Sequence, residues 1–241
     1  RYAASGAPLT AEFLVNTNTS DEQRISMAAM DPAGNFVVVW VDYTQDGSSL
    51  GIYAQRFDSG GTPQGAEFLV NTVTADEQKY ADVAMDSSGN FVITWSSKDQ
   101  DGDDWGIYAQ RYEADGAALG TAFQVNSFTT GLQKYPVIAM DSVGNFVIAW
   151  ESWEQDPWGS KGIYAQRFDA GGGPLGTEFR VNDNTTNVKN DAAIAMKARG
   201  EFVVAWASGG QDGGGVGVFA GRGAASGAPL TAEVLGNADA C

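Results

Sequence analysis

The chain has 241 residues, 43% of them hydrophobic, with 31 glycines and 14 Lys+Arg against 30 Asp+Glu, for a formal net charge of −16. That length suits one large β domain or two small ones, the glycines with few basic residues suit tight turns rather than surface helices, and the charge repels nucleic-acid phosphates and anionic lipid headgroups. Histidine is absent and the one cysteine, Cys241, is the last residue, which excludes an intrachain disulfide, a Cys/His zinc site and a His-based triad.

In chain order, the first sixteen residues, RYAASGAPLTAEFLVN, return nearly unchanged at 222 as RGAASGAPLTAEVLGN. The longest uninterrupted apolar run, Phe36 to Val41, is far short of the roughly 20 residues that span a bilayer. No basic-then-apolar signal opens the chain, so a soluble, processed or excised segment is expected, without membrane insertion.

A longer repeat then organises everything after residue 16. The "MD" at Met30 and Met85 recurs at Met140, and its methionine again at Met196, with spacings of 55, 55 and 56 residues. GNFVVVW, GNFVITW, GNFVIAW and GEFVVAW follow on the same ruler, and then GIYAQR three times and GVFAGR once. A period of this length is a mark of repeat architectures.

Each copy predicts four short strands, illustrated by the second: VAM ending at Met85, Phe91 to Trp95, GIYAQRY, and AFQVN. The DSSGN between the first two is turn chemistry. In the second strand Phe91, Ile93 and Trp95 alternate with Val92 and Thr94, so both faces must be covered. Stacked four-stranded meanders cover them, and the expected fold is all-β: a β-propeller of four four-stranded antiparallel blades, standing alone or within a larger ring or array. Units of about 17–71, 72–126, 127–182 and 183–237 make one propeller domain over 1–241. Ala84, Ala139 and Ala195 suit a crowded place near the axis, and the Arg56 series is expected to pair with the Asp31 series. Arg1 aligns with Arg56, Arg111, Arg167 and Arg222, which makes residues 1–16 a spare outer strand.

The string EFLVNT…DEQ…VAMDSSGNFVITW…QDG…GIYAQRF resembles the propeller-like repeats of bacterial secreted and cell-surface proteins. The resemblance implies an extracellular or cell-surface, adhesin-like or matrix-associated setting in bacteria and brings no catalytic residues. The fourth copy departs from it, with Lys197 where the others have Asp31, Asp86 and Asp141.

Candidate chemistry gathers in the loops after the second strands. In KDQDGDDWG the alternating Asp99, Asp101 and Asp103 offer oxygen ligands for calcium, the one cofactor considered, although Asp104 and Gln110 stand where an EF-hand needs Gly and Glu. The alternative is a solvated acidic turn. ESWEQDPWGSKG places Trp153 and Trp158 beside Glu151, Glu154 and Asp156, with Trp105 in the matching loop of the preceding copy. Exposed indoles next to carboxylates can grip the apolar face and hydroxyls of a sugar. With no activated nucleophile legible, no enzyme is expected. The main reading is a non-catalytic binding or assembly module, joined head to tail by strand donation with Cys241 at the junction, its partners being itself or extracellular glycans and not nucleic acid. A carbohydrate-binding lectin and a glycoside hydrolase-like enzyme are the alternatives.

Overall fold

The computed structural model describes residues 1–156 and 160–236. Among these residues sixteen strands form four antiparallel sheets, each a meander in chain order. The first blade holds β1 (Gln23–Met30), β2 (Phe36–Tyr43), β3 (Leu50–Phe57) and β4 (Phe68–Leu69). The second holds β5 (Gln78–Met85), β6 (Phe91–Lys98), β7 (Trp105–Tyr112) and β8 (Phe123–Gln124). The third holds β9 (Gln133–Met140), β10 (Phe146–Trp153), β11 (Lys161–Phe168) and β12 (Phe179–Arg180), and the fourth β13 (Lys189–Met196), β14 (Phe202–Gly209), β15 (Val216–Gly223) and β16 (Pro229–Leu235). The first strands β1, β5, β9 and β13 lie side by side in succession, so they form the inner wall. This is the all-β propeller read from the repeat. No helix among the described residues is long and apolar enough to cross a membrane.

Cores form between blades, as the two-sided apolar pattern of the second strand demands. Val39, Ile52 and Ala54 of the first blade pack on Phe91, Ile93 and Trp95 of the second, and the same contact recurs between the second and third and the third and fourth blades. Within each of the first three blades two rings stack: Phe57 on Phe36 at 4.8 Å, Tyr112 on Phe91 and Phe168 on Phe146 both at 4.9 Å.

The acids of the MD motif serve their own turns. Asp31 accepts hydrogen bonds from the Asn35 backbone N–H at 2.9 Å and from its side-chain amide at 2.8 Å, and Asp86 and Asp141 do the same for Asn90 and Asn145. In the fourth blade the pair is exchanged as a unit, Lys197 bonding Glu201 at 2.6 Å. The turn needs Gly89 at φ +86°, where a Cβ would also meet the Ala114 side chain at 3.2 Å. The Arg56 series does not pair with the Asp31 series, whose carboxylates serve the turn amides. Instead three of these arginines reach across to the next blade: Arg56 donates to the Asp115 carbonyl, Arg111 to that of Ala170 at 2.8 Å and Arg167 to that of Ser226 at 2.5 Å. Replacing Arg111 with methionine, which keeps the stem and removes the donors, is expected to cost about 1–2 kcal/mol in urea unfolding. A cost below about 0.3 kcal/mol would show that these bridges carry no stability.

Residues 1–16 are seated on the molecule rather than free. Phe13 packs on Phe57 with ring centroids 5.4 Å apart, as Phe68 packs on Tyr112 and Phe123 on Phe168. The fourth blade has its own outer strand in β16. The strand-donation expectation is corrected accordingly: the first segment does not compete with residues 229–235 for one place, because it occupies a different one. Cys241 lies outside the described residues.

Candidate functional site

Each inner strand carries a β-bulge opposite the tryptophan of its second strand. Ile25 and Ser26 face Trp40, Tyr80 and Ala81 face Trp95, Tyr135 and Pro136 face Trp150, and Asp191 and Ala192 face Trp206. The indoles opposite the bulges are buried. The first residue of each bulge adopts positive φ: 53° at Ile25, 57° at Tyr80 and at Tyr135, 54° at Asp191. Such backbone is costly for Ile and Tyr, and a bulge re-aims the side chain it carries.

All four bulge residues, one from each blade, line a single central cavity of about 590 Å³. The Tyr80 and Tyr135 rings meet there at 4.3 Å and 52°. The Tyr135 hydroxyl is pushed up to about 12, first by its hydrogen bond with Tyr80 and then by burial. Glu151 and Lys161 reach the same cavity, with Nζ 2.6 Å from Oε2 and both side chains buried. The other carboxylate oxygen, Oε1, accepts the Asp191 backbone N–H at 2.7 Å. Burial lifts the Glu151 carboxyl above the ordinary carboxylate range, and Lys161 opposes that lift. Asp191 itself is exposed. Beside the cavity Asp82 accepts the Ile138 N–H at 2.9 Å, and burial raises its carboxyl as well.

The sequence-predicted residues divide between this centre and the loops. Glu151 is at the centre. Trp153, half-buried at the end of β10, lies under Lys161, whose Nζ is 4.2 Å from the ring centroid. Trp105 is not an exposed loop indole: it opens β7, buried, with Lys134 at 4.3 Å and Lys79 at 5.8 Å over its ring and Tyr80 at 6.4 Å. Pairing of Lys98 with Trp105 extends the hairpin one residue further than a loop reading allows. Glu154 is exposed and stands near Gly131, away from Glu151's contacts. Trp158 lies outside the described residues.

Asp99, Asp101 and Asp103 are not brought together. Asp101 belongs to the recurring QDG and lies over Gly106, accepting the Gln124 side-chain amide at 3.2 Å, while Asp103 accepts the Gly131 N–H at 3.0 Å. Asp46, Asp156 and Asp212 cover Gly51, Gly162 and Gly217 in the same way, so the acidic rim closes the third strand of each blade. Among the described residues no group of three or more His, Cys, Asp or Glu stands close enough to hold a metal ion.

Sequence reasoning missed Tyr80, Tyr135, Asp191 and Lys161. The signal was there: Ile25, Tyr80, Tyr135 and Asp191 share one repeat position yet differ, and Glu151 and Lys161 stand where the first blade has Val41 and Leu50. Variation inside an otherwise uniform repeat marks the positions that repetition alone does not require.

No family model matches the chain. Over 83 residues it is 35% identical to a component of eukaryotic translation initiation factor 3 from Pyricularia oryzae, a stretch covering 33% of this chain and 11% of that protein. The chain thus spans about a tenth of that relative's length. Among solved structures, a protein of unknown function from Dyadobacter fermentans is similar with a TM-score of 0.64 at 10% identity, over 92% of this chain and 71% of that one. A thermostable family-43 glycoside hydrolase matches with 0.54 at 12% identity, over 94% and 76%. Penicillium chrysogenum α-L-arabinanase, solved with arabinobiose, matches with 0.54 at 13% identity, over 83% and 62%. These findings correct the reading as a non-catalytic adhesion or assembly module and the expectation that the chain is no enzyme: glycoside hydrolases stand among its propeller neighbours, and a buried, lifted carboxyl opens on its central cavity. What the identities of 10–13% establish is the fold, a β-propeller.

Proposed function

We propose that the central cavity binds a saccharide and hydrolyses its glycosidic bond. The observation that carries this reading is the buried Glu151 carboxyl beside the exposed Asp191 in a cavity walled by Tyr80 and Tyr135. Glycoside hydrolysis uses two carboxyl groups with different protonation, one giving a proton to the leaving oxygen and one, ionised, serving water or the anomeric carbon. Burial suits Glu151 to the acid role, and Asp191, lining the same cavity, is the second carboxyl. The paired tyrosine rings give a sugar an apolar face to lie on. A secreted setting, drawn from the resemblance to bacterial surface repeats, goes with this reading.

The test is release of reducing ends from arabinan and a panel of plant polysaccharides. Glu151→Gln and Asp191→Asn are each expected to lower turnover by about 10²–10⁴-fold, with sugar binding retained by calorimetry. Turnover should fall as pH rises through the lifted Glu151 carboxyl, because the acid must be protonated to act. A second reading, binding without cleavage, is favoured by the engagement of both Glu151 oxygens by donors, which oppose its protonation. Binding without any release of reducing ends selects it. Neither binding nor release refutes both.

A further inference from the structure

The repeat contacts identify a seat that the molecule leaves open. Arg1 and Tyr2 stand where Arg56 and Phe57 end β3: the Leu9 N–H bonds the Arg1 carbonyl at 2.9 Å, as Gln64 bonds Arg56 at 2.8 Å. Arg1 lies against the turn at Gly61 of the first blade, as Arg56 lies against Gly116 and Arg111 against Gly172. Asn16 bonds the Asn18 carbonyl and Gln23, as Asn71 bonds Val73 and Gln78. Residues 1–16 therefore hold the place of a fourth strand in a blade that precedes the first.

That blade's other strands have no counterpart among the described residues, and the exposed side chains outline them. Tyr2 is 75% exposed where its equivalent Phe57, stacked on Phe36, is 2% exposed. Met30 is exposed, whereas Met85, Met140 and Met196 pack on the core of the preceding blade. On the far side of the opening Val216 is 71% exposed against 2% for Leu50 and 5% for Trp105 at the same repeat position. Arg222 is exposed too, although its equivalents each bridge to a following turn.

We propose that the opening between the fourth blade and residues 1–16 seats the first three strands of one further repeat of this sequence type. The occupant is fixed by what faces it. A GNF phenylalanine would stack on Tyr2, a GIYAQ strand would run into Arg1, and its apolar face would cover Val216, as β6 and β7 do in the second blade. Arg222 would then bridge to the Ala4–Ser5 turn, as Arg167 bridges to Ser226. Such a unit would also close the wall of the central cavity beside Ile25 and Met27, which are both exposed. The inference rests on blade contacts and does not depend on hydrolysis.

The experiment joins a second copy of residues 72–110 directly before Arg1 of the full chain, so that Gln110 of the copy meets Arg1 as Gln110 meets Arg111. The expected results are a melting temperature at least 5 °C higher, on the scale of about 4–8 °C per kcal/mol in small domains and less in large ones, and slowed amide exchange in the added strands and in residues 3–14. Val216→Asp should leave the unfused chain's melting temperature unchanged and remove the gain in the fused one. As a second measurement, the same segment added as a free peptide should give saturable heat with the parent and none with Val216→Asp. Added strands that exchange freely, with an unchanged melting temperature and no heat from the peptide, overturn the proposal. So does a gain that survives Val216→Asp.

Discussion

Replacing Trp150 with alanine is expected to destabilise the protein by about 3–5 kcal/mol, the range for a large aromatic removed from a core that cannot collapse around the void. Trp150 is fully buried in the contact between the second and third blades, against Ile107, Ala109 and Ile138. Two features keep that void from closing. The bulge at Tyr135 and Pro136 lies directly opposite the indole, and two sheets fixed by their own ladders confront one another across the gap. One term acts the other way: the indole Nε1 has no hydrogen-bond partner, and losing a buried unpaired donor returns about 1 kcal/mol. Trp150→Phe should therefore cost less than half as much as Trp150→Ala. Urea titration measures both. If Trp150→Ala unfolds within about 0.5 kcal/mol of the parent, the blades do not pack through this residue. Trp153→Ala is the internal contrast, since a half-buried ring under one cation contributes only about 0.5–1 kcal/mol.

The blades were legible because their causes are local and recur. The second strand, apolar on both faces, can exist only between two neighbours, and its repetition with turn residues at fixed offsets dictates a meander stacked on its copies. What the repeat did not display was its exceptions. The bulge lies opposite an indole of the adjacent strand, a pairing with no mark in propensity, and it decides which side chain faces the axis. Glu151 was visible as a carboxylate near aromatic residues, but it was grouped with Glu154 and Trp158 along a loop. The ladder extends β10 through Trp153 and buries Glu151, while Glu154 falls just beyond it. Asp99, Asp101 and Asp103 alternate in sequence, but the structure gives them separate uses: Asp101, like the other QDG acids, lies over the glycine at the second position of its third strand, while Asp103 accepts the Gly131 N–H.

Lys161→Met is expected to cost about 3–5 kcal/mol at neutral pH, because it leaves the Glu151 carboxylate buried without its cation. The pair is short, 2.6 Å, and both side chains are nearly inaccessible. The Asp191 N–H remains on one oxygen and does not compensate a full charge. The repeat supplies the repair. At the same two positions the first blade has Val41 and Leu50, both buried in an apolar core. The double variant Glu151→Val, Lys161→Leu should return to within about 1 kcal/mol of the parent, since a well-packed apolar pair commonly replaces a buried ion pair without loss. The pH dependence separates a charge effect from a packing effect. Without Lys161 the Glu151 carboxyl, already lifted by burial, rises further above its unfolded value of about 4.3. A carboxyl whose folded pKa exceeds its unfolded one binds its proton more tightly in the native state. Stability is then greatest below the unfolded value and falls as pH rises through the folded one. The deficit of Lys161→Met should accordingly be small near pH 4 and grow toward pH 7, whereas the double variant should show no such trend. A deficit of equal size at both pH values would mean that Lys161 supports the fold through its stem over Trp153 and not through its charge.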